Sequence, residues 1–137
     1  MKLFCSNAFT GEDFDAVQKR MKLVVEAINE SGHEAYCPIF DPHKIALQKK
    51  GDTKAIFESA FQNIEKCDGM VAIITSERKS EGQLMEIGAI LAAKKPLFVF
   101  IHESAASAPT HLSKLATKMV KWATDEELKF LLHKLQN

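Results

Sequence analysis

Three residues at fixed spacing, Ser80, Gly82 and Glu86, stand at the head of an otherwise apolar segment, Leu84-Met85-Glu86-Ile87-Gly88-Ala89-Ile90-Leu91-Ala92-Ala93. A carboxylate in such company is costly to bury unless it is paired or put to use. On a helix its i±3 and i±4 neighbours are Gly82, Gln83, Ala89 and Ile90, so neither Lys nor Arg is placed there to pair with it. The helix dipole favours an anion near the N-terminus, so Glu86 is expected to be ionised at pH 7. That is the form a nucleophile needs, whereas a general acid would need a raised pKa. Ser80-x-x-Gln83 fits a capping box, and Ser80 can equally offer a ligand contact. The same helix start leaves backbone N–H groups suited to an anion or a sugar hydroxyl. Gly82 lets a ligand approach the backbone closely.

The surrounding elements must hold these groups in place. Apolar runs at Lys2–Ser6, His33–Cys37, Gly69–Thr75, Leu97–Ile101 and Met119–Trp122 read as strands. Gly69–Thr75 is the clearest central one, because its unbroken apolar run suits a strand covered on both faces. Val17, Met21, Val24 and Ile28 mark one face of a helix over Asp13–Ser31, and Ser31-Gly32 ends it. Pro38–Lys50, with two prolines, reads as irregular. Further helices are expected from Asp52 or Thr53 to Lys66, from Gly82 to Lys94, near Thr110–Ala116, and from Thr124 or Asp125 to Leu135. This alternation predicts an α/β domain: a flavodoxin/Rossmann-like three-layer sandwich on a five-stranded parallel sheet. Spacing does not give the strand order, and the flavodoxin-like order 2-1-3-4-5 is the natural expectation. Residues 1–137 read as a single domain. The helix after Gly82 is apolar on more than one stripe, so its second face is expected to meet another subunit, most simply in a homodimer.

In an open parallel sheet, ligands gather beyond the carboxyl ends of the strands. Ser6, Asn7 and Ala8 after the first strand, Thr75–Gly82 after the third and His102–Pro109 after the fourth should therefore converge there. His102 could face the pocket, and Lys44, Arg78 and Lys79 are the cations available to a phosphate.

Composition excludes other classes. Lys+Arg and Asp+Glu are both 18, so no net charge draws the chain to nucleic acid or an anionic membrane. No run is long enough for a membrane span, and the apolar start is too short for a signal peptide. Three cysteines without a CxxC suit a reducing cytoplasm. Each reads as a small core hydrophobe, and Cys5 is the one placed for a catalytic thiol. The histidines lack metal-ligand spacing, so no metal is expected. No Gly-rich fingerprint supports a dinucleotide cofactor.

Phe4-Cys5-Ser6, Ile64–Ile74, Ser80-x-Gly82-x-x-x-Glu86-Ile87-Gly88 and Lys95-Pro96 together resemble the nucleoside 2-deoxyribosyltransferase family, including its 2'-deoxynucleoside 5'-phosphate N-hydrolase branch. Val120-Lys121-Trp122, followed by an acidic helix, is similar to that branch. The resemblance implies a nucleoside or nucleotide substrate and no cofactor. Glu86 would attack C1' to form a glycosyl-enzyme, as in a retaining glycosidase. Ser80 and Gly82 would contact sugar or phosphate, and Ser6, Asn7 and Ala8 would line the base pocket. Ser107 or Thr110 would close a neighbouring subunit's site. One position departs from the pattern: Ala60 stands where the family usually carries an aspartate that helps protonate the leaving base. Loss of such a group commonly costs about 10²–10⁴-fold. Asp52 and Glu58 are the candidate substitutes, and Asp68 reads as structural. The alternative is a nucleotide-binding module on the same scaffold that does not turn over.

Overall fold

The computed structural model describes residues 1–8, 12–107 and 110–135. Five parallel strands form one sheet: β1 (Lys2–Asn7), β2 (Glu34–Tyr36), β3 (Gly69–Ile74), β4 (Leu97–His102) and β5 (Lys118–Trp122). The order is β2-β1-β3-β4-β5, the flavodoxin-like order. The helices are α1 (Phe14–Glu30), α2 (Pro42–Lys50), α3 (Thr53–Lys66), α4 (Glu81–Ala92), α5 (Leu112–Leu115) and α6 (Asp125–His133).

Strand alternation divides the core in two. Leu3, Cys5, Val71, Ile73, Phe98 and Phe100 pack with residues of α1 and α6 on one face. Phe4, Met70, Ala72, Leu97 and Val99 pack with α3 and α4 on the other, which completes three layers. This alternation decides the fate of two neighbours in β1. Cys5 points into the α1/α6 core and is fully buried, and burial pushes its thiol pKa well above the usual value. It is therefore core packing rather than a nucleophile. Ser6 points to the opposite face, toward α4.

Pro38–Lys50 corrects the sequence reading. It forms a short 3-10 turn at Pro38–Phe40 and then α2. Pro42 is the first residue of α2, where a missing N–H costs nothing. Asp41 caps it, its Oδ1 accepting from the His43 N–H at 2.9 Å. Gly51, left-handed at φ 68°, ends it. None of the residues of α2 is buried, and the helix packs chiefly on α3 rather than on the sheet.

Two residues in the family-like stretches hold the frame. Asp68 Oδ2 accepts from the Lys2 N–H at 2.7 Å, which ties β1 to the entrance of β3. Lys95 Nζ donates to the carbonyls of Ile64, Glu65 and Cys67 at 3.2, 2.7 and 2.7 Å. A cation at those last carbonyls both caps α3 and complements its dipole.

Candidate active site

The carboxyl ends of β1 and β3 meet the N-terminus of α4, and Gln83 joins them. Ser80 Oγ accepts from the Gln83 N–H at 3.3 Å, which is half of the expected capping box. The Gln83 side chain does not return to the Ser80 N–H. Its amide NH₂ donates instead to the carbonyls of Ser6 and Ile73, at 3.3 and 3.0 Å, from a buried position. One side chain thus fixes both strand ends against the helix that carries Glu86.

Glu86 lies one turn beyond Gly82, and its Oε1 accepts from Ser6 Oγ at 2.7 Å. Burial pushes its pKa up from 4.5 to about 7, while the Ser6 hydroxyl and the Lys44 ammonium pull it down. This overturns the expectation of a fully ionised carboxylate. Glu86 is the sixth residue of α4, and the dipole's help fades within the first turn, so desolvation outweighs it.

Glu86 opens on a cleft of about 170 Å³. Asn7, Ser80 and Gly82 line it, as predicted from sequence. Sequence reasoning missed Tyr36, Gln48, Phe57 and Ser59 on its walls, and α2 delivers Lys44 and Gln48. The Asp41-Pro42 pair was the signal for that helix. Tyr36 O–H donates to Asp41 Oδ2 at 2.5 Å, which seats the start of α2 against β2.

Other candidates lie elsewhere. Ala8, Arg78, Lys79 and Thr110 line a second, smaller cavity of about 60 Å³ on the β4 side of α4, which shares Ser80 and Gln83 with the first. A Thr75–Glu12 hydrogen bond borders that cavity. Ser107 lines neither cavity. His102 is committed to structure: Nε2 is 3.0 Å from the Ala123 carbonyl, Nδ1 accepts from the Ser104 N–H, and the ring meets Trp122 edge-on. Ala60 lines the Glu86 cleft, so the expected aspartate position does face the site. The suggested substitutes do not. Asp52 caps α3 by accepting from the Ala55 N–H, and exposed Glu58 pairs with Lys54 at 3.7 Å. No group of three or more His, Cys, Asp or Glu among the described residues is arranged to hold a metal ion.

Gly82 separates packing from function. A Cβ built there would meet only the Phe57 ring, at 3.8 and 3.9 Å, which is ordinary contact. The fold therefore does not require glycine at this position, whereas the cleft gains room from it. Gly82→Ala is expected to keep or slightly raise the melting temperature, since alanine favours helix by up to about 1 kcal/mol. The added methyl should weaken a ligand held against the helix start by about tenfold or more, read as KM or Kd.

A parallel α/β sheet with a buried carboxyl in a cleft beyond its carboxyl edge defines a domain of the doubly wound class. The chain belongs to the nucleoside 2-deoxyribosyltransferase family, whose model matches residues 4–127. Its fold is shared with the CMP N-glycosidase of Clostridium botulinum, which is 16% identical, with 96% of this chain and 97% of that chain covered at a TM-score of 0.66. It is shared as well with a 2-deoxyribosyltransferase from Bacillus psychrosaccharolyticus, at 15% identity, coverage of 94% and 90%, and a TM-score of 0.66. A conserved protein from Enterococcus faecalis V583 matches at 17% identity, coverage of 96% and 98%, and a TM-score of 0.58. No curated protein matches the chain.

Proposed function

We propose that this protein breaks the N-glycosidic bond of nucleosides or nucleoside 5'-monophosphates, passing the sugar to water or to a second base, with Glu86 as the nucleophile. The observation that carries this reading is the Glu86 carboxyl held by Ser6 in the cleft beside Asn7, Ser80 and Gly82. Burial raises its pKa to about 7, while the Ser6 hydroxyl and the Lys44 ammonium favour the anion that would attack C1'. Family membership supports it, and two proteins of the same fold are named for N-glycosidase and deoxyribosyltransferase activities. Incubation with a panel of deoxynucleosides and monophosphates should release free base. Release as fast from Glu86→Ala as from the parent protein would sink the mechanism.

Ala60 favours a second reading, a nucleotide-binding module without turnover, because the cleft lacks the carboxylate expected there. That reading predicts calorimetric binding of monophosphates and no release of base.

The protein is proposed to work as a homodimer through the outer face of α4. Leu84 and Met85 are 45% and 42% exposed there, beside exposed Gly88. Large apolar groups side by side on an otherwise well-packed helix suit a two-fold contact. Sedimentation should give a dimer, and Leu84→Glu with Met85→Lys should give a folded monomer. The three unpaired cysteines accord with a cytoplasmic location. No helix among the described residues is long and apolar enough to cross a membrane.

A further inference from the structure

Displacement at C1' leaves an electron pair on the departing base, and an acid that supplies a proton eases its departure. The side chain at position 60 cannot do so. Apart from Glu86, two ionisable side chains among the described residues line the cleft, Tyr36 and Lys44. Tyr36 already donates its proton to Asp41, and burial together with that bond drives its pKa far above the usual range. Ser80 and Gln83 are committed to holding the start of α4. Amides and serine hydroxyls are too weakly acidic to protonate a base near neutral pH.

We propose that the Lys44 ammonium is the acid that protonates the departing base, which makes it a catalytic residue of the reaction proposed for Glu86 and rests on that reading. Its position is built rather than incidental. Tyr36 holds Asp41, Asp41 caps α2 at His43, and Lys44 is the next residue along the helix. Gln48, one turn further, lines the same wall. Burial lowers the Lys44 pKa from its usual value, while Glu86, Cys37 and Asp41 hold it up. Tyr36 lines the same cleft. The parts of α3 on the cleft, Ile56, Phe57, Ser59 and Ala60, carry no charge.

In the first step Glu86 forms a bond to C1' as the C1'–N bond breaks. The bonding pair goes to the base nitrogen, and a Lys44 Nζ proton passes to the base. The neutral amine left behind then takes a proton from water as the water oxygen attacks C1' and frees the carboxylate. One water is consumed, and one base and one sugar are released.

The test compares two substrates on the full-length protein. One carries a natural base. The other is a deoxyriboside with a 4-nitrophenolate leaving group, which departs without a proton. At a pH well above the Glu86 pKa, where loss of the Lys44 charge no longer alters Glu86 ionisation, Lys44→Met should lower kcat/KM for the natural base by about 10²–10⁴-fold and nitrophenolate release far less. It should also remove the alkaline fall of the pH–rate profile. Lys44→Arg keeps the charge but holds its proton too tightly, so it should fail on the natural base as well. Adding Ala60→Asp to Lys44→Met should restore part of the rate. α2 buries no residue, so the Lys44 variants should fold.

Equal losses on both substrates would make Lys44 a binding or charge-pairing group and overturn the proposal, as would full activity of Lys44→Arg on the natural base. If Glu86→Ala still releases nitrophenolate at the parent rate, or the parent protein releases neither product, the Glu86 reading has failed and this one falls with it.

Discussion

Glu86→Gln is expected to abolish release of base and yet to make the protein more stable at pH 8. Removing the nucleophile proposed above should cost at least about 10³-fold in kcat. The Ser6 hydroxyl can still donate to the oxygen of the substituted amide, so the local geometry survives the change. The stability gain follows from the direction of the pKa shift. The folded-state carboxyl has a pKa of about 7 against 4.5 for the free side chain. Between those two values the folded protein holds the proton and the unfolded chain does not, so stability falls as pH rises through that window. Above about pH 7 the full penalty of burying the anion is present, at most about 3 kcal/mol. Lys44 loses an attraction when the charge is removed, which takes back part of the gain. A net increase of about 1–2 kcal/mol is expected in urea denaturation at pH 8, shrinking to nothing near pH 4. A Glu86→Gln protein less stable than its parent at pH 8 would mean that the carboxylate is a structural anchor.

Gln83 should show the opposite behaviour, with losses of both stability and activity. Its single NH₂ group serves the ends of two adjacent strands, through the Ser6 and Ile73 carbonyls. Gln83→Leu keeps the bulk but removes both donors, and a buried polar group that loses its partner costs about 1–3 kcal/mol. A loss of about 2–4 kcal/mol is expected. Gln83→Glu is sharper, because it exchanges the NH₂ for an oxygen and sets a carboxylate against two carbonyls. It should be the less stable of the two at pH 8 and recover as the pH falls toward 5, when protonation restores one donor. Either change releases Ser6, and with it the hydrogen bond to Glu86, so base release should fall even at temperatures where the variant stays folded.

The sheet was legible in the sequence because β3 and β4 are unbroken apolar runs, and α1 because Val17, Met21, Val24 and Ile28 keep a helical period. The meeting of Ser6 with Glu86 was legible only as a shared end of the sheet, since alternation along β1 decides which side chain faces α4. α2 was hidden by its prolines, which read as breakers until Asp41 and Pro42 are seen as a cap and a first turn. The Glu86 pKa was misjudged because a dipole is a property of sequence position, whereas desolvation depends on the packing around the side chain. Gln83 matched the capping pattern, but nothing local told its amide to prefer two strand carbonyls to its own helix.

α2 contributes a wall to the cleft while burying none of its residues. Substitutions on such a surface typically change stability by no more than about 0.5 kcal/mol. The two tasks of the molecule therefore fall on different parts of the sequence. The sheet, Gln83 and Lys95 preserve the fold, and the exposed positions of α2 can drift. Changes that reshape the cleft can accumulate at Gln48 without compensating mutations in the core. Related proteins can diverge in substrate while their scaffolds stay superimposable.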